Sequence, residues 1–438
     1  MRIPSVVAQL LLATVAFTAP QIPAHEQGCS GESCAAVVRG FFAFFDRNPA
    51  GLASNGRACG DCHMLADHFQ LSPADAEARF RLLQARRRWN PQADDPLFRP
   101  IDADDFRTQG NNARDFSNLR QNGLVRVILP LPANIKRIDP ATGQPSSDTV
   151  VDVWRAVPTV NDVALTGPDG QNPWPRGPNN TGGYQLDARI TTLQEQALGA
   201  LINHAQVPNT VPQGFLDDVA SFQRFLFTNE RVRALADAVR TGQSPLPDPD
   251  PRLNALETLG KAIFARSCIQ CHGGPGLTLT QANIPFRFGD ISTQCPRPVD
   301  TVTPARFAFA PCPERLARNA QLFEITLANG AKIRRSSSDP GRALLTGFVG
   351  GPPPADDWNK LDVPALRGIR NTAPYFHNNS ATTLDDVFDH YVQLFNFIRV
   401  NAPPNLPPPA VASTDGVNWD RQPRPEERKA LLAYLRKL

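Results

Sequence analysis

A chain of 438 residues, 41% apolar and 20% charged, is long enough for two or three domains with their own cores, and its composition excludes a disordered or membrane-embedded protein. Its 45 basic and 42 acidic residues leave a net charge of +3, too small to argue for nucleic acid or a membrane surface as partner. The 43 prolines predict long ordered loops around helices of modest length.

The N-terminus, MRIPSVVAQLLLATVAFTAPQIPAHEQG, has an early arginine, an apolar run of signal-peptide length and small residues after it. Residues 1–24 read as a secretory signal cleaved between Ala19 and Ala24. The run is shorter than the roughly 20 residues that span a bilayer, which disfavours an uncleaved anchor. Export is therefore expected, to the periplasm where the organism has one.

Taken in chain order, the first unit opens with GFFAF (Gly40 to Phe44) and then RACGDCHML (Arg57 to Leu65). Helices are predicted over Pro73–Arg88, Leu193–His204 and Gly214–Phe227, and the β-branched run Gly123–Pro132 is the main strand signal. The segment around it, Asn90 to Pro132, fits no motif and is expected to shape access to a site. TGQSPLPDPDPR (Thr241 to Arg252) breaks the helical pattern, so a boundary is placed near residue 245, separating units 25–245 and 246–438.

The second unit begins with the helix LNALETLGKAIFA and repeats the first one's signals: GKAIF (Gly260 to Phe264), then Cys268, Cys271 and His272. Between phenylalanine and first cysteine lie 14 residues in unit one and 3 in unit two, as a loop insertion in one copy would produce. Helices over Leu384–Arg399 and Arg424–Leu438 complete a mainly α chain.

The eight cysteines include two Cys-x-x-Cys pairs, Cys59 with Cys62 and Cys268 with Cys271. The other four are expected to form two disulfides, Cys29 with Cys34 and Cys295 with Cys312, the pairings with the shortest loops. The second would staple CPRPVDTVTPARFAFAPC and contribute about 2 to 4 kcal/mol.

His63 and His272 directly follow the paired cysteines. One helical turn turns both sulfurs and the imidazole to the same side, so two thioethers can hold a porphyrin edge while the histidine reaches the iron. Two Cys-x-x-Cys pairs can also build a Cys₄ zinc site, or each can act as a redox dithiol. With seven histidines in the chain, a histidine after both pairs by chance is on the order of 1 in 4,000. The 205 residues between Cys62 and Cys268 are also unlike a compact zinc ribbon. Met64, the only methionine besides Met1, adjoins His63 and is read as a core or haem-edge contact. His25, His68, His204, His377 and His390 remain to face either iron from the other side.

VPALRGIRNTAPYFHNNSATTLDDVFDHY (Val363 to Tyr391) and LDARITTLQEQALGALINHAQ (Leu186 to Gln206) resemble segments of the bacterial dihaem cytochrome c peroxidase and MauG superfamily. With the two haem motifs, the resemblance spans most of residues 40 to 395. It implies two cytochrome c-like haem domains with long Pro-rich loops and two covalent haem c groups, with His63 and His272 as proximal ligands and Arg189 in the interface. It also implies a calcium ion between the domains, which spacing assigns to no residues, and a tendency to dimerise. Electrons would enter the C-terminal haem from a small c-type cytochrome or cupredoxin, and hydrogen peroxide or dioxygen would react at the N-terminal haem.

The chain departs from that pattern at several positions. The family's bridging Trp falls on Leu186, its Gly on Ala188, and its distal Glu on Gln206. Gln206 can hydrogen-bond a peroxide but cannot take its proton, which makes His204 the alternative acid-base group. The C-terminal half has no methionine, so His377 or His390 becomes the candidate second ligand of its haem. The reading is thus a peroxidase-like dihaem oxidoreductase, with a MauG-like oxidase, a dihaem oxygenase and a pure electron carrier as alternatives.

Overall fold

The computed structural model describes residues 29–49, 51–103, 116–166, 184–208, 210–250, 252–269, 272–278, 288–289, 314–350, 357–401 and 423–438. The expected signal segment, Cys271 and the Cys295–Cys312 bridge lie outside them. Cys29 and Cys34 form the expected disulfide. Among the described residues, no helix is long and apolar enough to cross a membrane.

The helices are α1 (Cys34–Phe45), α2 (Pro73–Arg87), α3 (Ser117–Asn122), α4 (Leu193–Asn203), α5 (Gln213–Phe225), α6 (Glu230–Arg240), α7 (Ala255–Ser267), the short α8 (Glu314–Ala317) and α9 (Ala343–Thr346), α10 (Leu384–Asn401) and α11 (Pro425–Leu435). Their starts follow local chemistry. Ser72 accepts the Asp75 N–H ahead of α2, and Asn254 and Glu257 cap α7 reciprocally. Proline occupies the first turn of both α2 and α11.

Two helix pairs repeat one arrangement. Helix α1 buries Val37, Gly40 and Phe44 on one stripe against α5, and α7 buries Gly260, Ile263 and Phe264 against α11. A Cβ at Gly40 would lie 1.9 Å from the Asp218 carbonyl oxygen and 2.8 Å from the Phe222 Cβ; at Gly260 it would lie 2.0 Å from the Ala430 oxygen and 2.8 Å from the Tyr434 Cβ. Only glycine permits either crossing. One turn on, Phe44 meets Phe222 edge-on at 5.3 Å and Phe264 meets Tyr434 at 5.5 Å, with an interplanar angle of 63° in both. The Gly-x-x-x-Phe repeat thus encodes a helix crossing, used once in each half.

Strands take a larger share than the sequence predicts. Besides β1 (Leu124–Pro130), which falls within the expected run, there are β2 (Ile135–Arg137), β3 (Val150–Ala156), β4 (Phe288–Gly289), β5 (Gln321–Thr326), β6 (Lys332–Ser337) and β7 (Leu361–Asp362). β1 pairs antiparallel with β3, β4 with β7, and β5 sits between β2 and β6. β6 reads KIRRSS, which has no apolar alternation of its own. Its pairing is set by β5, whose Phe323 and Ile325 are fully buried among Ile135, Val153, Leu344 and Trp358. Because β2 precedes residue 245 and β5 follows it, this sheet is built from both halves.

Candidate functional site

The first cysteine pair brackets a short 3-10 turn, Cys59–Asp61, with Cys59 opening it and Cys62 capping it, and the Asp61 carboxylate accepts the Ala58 N–H at its start. The His63 N–H donates to the Cys59 carbonyl at 2.9 Å. Its Nδ1 lies 3.0 Å from the Phe69 carbonyl oxygen, so Nε2 is the nitrogen left for a metal. Burial lowers the His63 pKa; the Phe69 and Pro158 carbonyls oppose this, and the charge of His204 adds to it. Phe44 flanks the ring at 6.1 Å, and Met64 packs against the core beside Cys62.

Cys59 and Cys62 are both free thiols. Burial pushes Cys59 up to about 11 and Cys62 up to about 12. Among the described residues, no group of three or more His, Cys, Asp or Glu side chains could hold a metal ion. Two free thiols with a histidine directly after them fit a covalently attached haem with one axial histidine.

At the second site, Cys268 and His272 repeat the two backbone bonds of the first. The His272 N–H donates to the Cys268 carbonyl at 2.8 Å, and His272 Nδ1 lies 3.2 Å from the Leu277 oxygen. Burial lowers its pKa to about 4, opposed by the Leu277 and Pro364 carbonyls. Pro158 and Pro364 each follow a valine, Val157 and Val363, so a Val-Pro step supplies a carbonyl to the histidine in both halves. On the Nε2 side of His272, the Tyr391 hydroxyl lies 3.5 Å away.

Near His63, the structure treats the two expected acid-base residues differently. Gln206 is exposed, adopts a left-handed backbone (φ 54°) and accepts a hydrogen bond from Asn55 Nδ2 at 3.1 Å. His204 is half-buried at the C-terminal end of α4, with its Nδ1 2.8 Å from Asp102 Oδ1. Asp102 and Arg57 are both buried and paired at 2.8 Å.

Arg189 and His377 stand in the contact between the halves. Asp187, fully buried, accepts through Oδ2 from Arg189 Nη1 and Arg155 Nη1, each at 2.6 Å. Arg155 also grips Asp339 from the other half, through Nε at 2.6 Å and Nη2 at 3.0 Å. The His377 ring is buried beside this cluster, and its pKa falls to about 4, by burial first, with Asp339 raising and Arg155 lowering it. The main chain joins the halves here too: the Ala156 N–H donates to the His377 carbonyl at 2.6 Å and the Asp362 N–H to the Leu186 carbonyl at 2.8 Å.

Arg57, Asp102, Arg155, Asp339 and Tyr391 escape the sequence argument as functional residues. Arg57 had a usable signal, since it lies inside the first cysteine motif. Asp102 belongs to the unmatched loop DPLFRPIDADDF, where nothing local marks it.

His390 is 1% exposed and its ring packs on Phe376 at 4.7 Å. Burial lowers its pKa to about 4, against about 6.5 in an unfolded chain. Because the unfolded state binds the proton first, the contribution of neutral His390 is present above pH 6.5 and lost as pH falls toward 4. About 3 kcal/mol is the upper bound of that loss. Urea midpoints measured from pH 7 to pH 4 should fall for the wild type and fall less for His390→Phe; parallel curves would rule out His390 as a source of the acid sensitivity.

No family model matches the chain. A stretch of 37 residues, 8% of this chain, is 54% identical to a cytochrome-c peroxidase of Denitromonas iodatirespirans and spans 10% of that protein. Among solved structures, the chain is similar to a MauG-like protein associated with microbial copper homeostasis (18% identity, TM-score 0.43, covering 93% of this chain and 90% of the other). It is also similar to the diheme peroxidase BthA from Burkholderia thailandensis (15% identity, TM-score 0.42, covering 93% and 86%).

Proposed function

We propose that this protein is an exported dihaem c-type oxidoreductase that reduces hydrogen peroxide at the Cys59–Cys62–His63 site with electrons received at the Cys268–Cys271–His272 site. The observation that carries the reading is a single site built twice. In each half, a glycine-tight helix crossing leads to a cysteine whose carbonyl accepts from the histidine N–H, with that histidine's Nδ1 on a second backbone carbonyl. Bound there, a haem supplies iron that takes up electrons one at a time and binds peroxide.

The chain's own residues divide the remaining work. The carbonyls of Phe69 and Leu277 fix the orientation of His63 and His272, which keeps Nε2 aimed at the metal position. His204 is the acid-base group in preference to the exposed Gln206. Its Nε2 takes the proton from one peroxide oxygen and returns it to the other, so that the O–O bond breaks to release water. Two electrons from a small c-type cytochrome or cupredoxin and two protons from solvent convert the second oxygen to water. Arg189 and His377 belong to the contact through which the halves communicate.

Pyridine haemochrome analysis of the purified wild type should give two haems per chain. Cys59→Ser with Cys62→Ser should give one, with peroxide turnover abolished and the remaining haem still reducible. EPR of the ferric wild type should contain a high-spin signal from the His63 site. Two low-spin centres that resist cyanide would instead make the protein an electron carrier. High-spin iron without peroxide turnover would favour an oxidase or oxygenase of another substrate.

A further inference from the structure

The unmatched loop before β1 delivers one buried carboxylate to the His63 site. Asp102 is 5% exposed and uses both oxygens, Oδ1 on His204 Nδ1 and Oδ2 on Arg57 Nη1, each at 2.8 Å. Arg57, 3% exposed, also donates to the carbonyls of His204 at 2.7 Å, Arg99 at 2.7 Å and Pro96 at 3.0 Å. Asn55 adds two bonds to the same place, from Nδ2 to the His204 carbonyl at 2.9 Å and from its N–H to the Ala205 carbonyl at 2.8 Å. Because Arg57 lies two residues before Cys59, the cysteine turn and His204 are tied through one guanidinium.

From this geometry we propose that Asp102 is a positioning residue for peroxide chemistry, holding His204 with Nδ1–H on the carboxylate and Nε2 bare toward the reacting oxygens. The proposal rests on the dihaem reading above and deepens it. An unanchored imidazole at a helix end divides its time between two tautomers and several rotamers. A hydrogen bond to a buried carboxylate selects the tautomer whose Nε2 is a base, and Arg57 stops the carboxylate from turning away. The Asp102–His204 pair assembles a base from the loop and the end of α4 together.

The test uses the holoprotein and the variants Asp102→Asn, Asp102→Glu, His204→Ala and Asp102→Asn with His204→Ala. Asp102→Asn keeps an oxygen for Arg57 but no longer holds His204 as a carboxylate does. It should retain two haems per chain and lower kcat/KM for peroxide about 10²-fold, leaving the KM for the electron donor unchanged. Cyanide association, followed by the Soret shift, should slow about tenfold, because hydrogen cyanide must give up its proton to a base as it binds. Asp102→Glu should recover most of both losses, and adding Asp102→Asn to His204→Ala should cost nothing further.

If Asp102→Asn keeps its haems but binds cyanide at the wild-type rate, or if its losses add fully to those of His204→Ala, the positioning role is overturned while the dihaem reading stands. A wild type with fewer than two haems per chain overturns both. Should Asp102→Asn fail to fold, Asp102→Glu and His204→Ala still decide. Wild-type cyanide kinetics in His204→Ala removes the base that the proposal requires.

Discussion

Gly260→Ala should strip the C-terminal half of its stability. Alanine is the better helix former by up to about 1 kcal/mol, so on propensity alone the substitution would help. The new Cβ, however, would lie 2.0 Å from the Ala430 carbonyl oxygen and 2.8 Å from the Tyr434 Cβ. Backbone cannot step aside as a side-chain tip can, so α7 and α11 must separate by more than an ångström. That separation loosens Phe264 from Tyr434 and the core they share with Ile263, Leu431 and Leu435. The net loss should be about 2 to 4 kcal/mol. Because α7 leads directly into Cys268, haem content at His272 should fall as well. Gly40→Ala should do the same to the N-terminal half through Asp218 and Phe222. Urea denaturation with haem absorbance as one probe measures both; an unchanged or raised midpoint in either variant would mean that the helices do not cross at these glycines.

Arg155→Met should destabilise the contact between the halves by about 3 to 5 kcal/mol. Burial pulls the Arg155 guanidinium down, but Asp339 and Asp187 together hold it above its ordinary value. Burial raises the Asp339 pKa, and Arg155 overcomes this to keep the carboxyl below the usual range. Methionine fills similar space but leaves Asp339, 0% exposed, without its bidentate partner. Arg189 still neutralises Asp187, which assigns most of the loss to Asp339. Adding Asp339→Asn to Arg155→Met should therefore recover part of it, a non-additivity that a double-mutant cycle in urea measures. A loss below about 1 kcal/mol in the single variant would mean that the pair behaves as a solvated surface bridge.

Local chemistry made much of this protein legible. Helix starts at Pro73, Leu193 and Leu384 agree with the structure because cap residues, prolines and apolar periodicity act within a few positions of one another. The two Cys-x-x-Cys-His motifs are readable for the same reason, since their donors share one turn. The charged strand β6 and the helix α6 went unread. β6 carries no signal apart from its partner strand, and α6 follows α5 after a break of only a few residues.

The sequence by itself carried the repeat of Gly-x-x-x-Phe followed by Cys-x-x-Cys-His, while the role of its glycines in helix crossings became legible only in the fold. Tertiary structure alone decided which side chains complete each site. Arg57 reaches His204 across 147 positions and Arg155 reaches Asp339 across 184. Such pairs form because a loop and a sheet deliver them to one buried place, where an unpaired charge would be costly. Neither spacing nor periodicity records that path, so the tie from Asp102 to His204 becomes readable only in the folded chain.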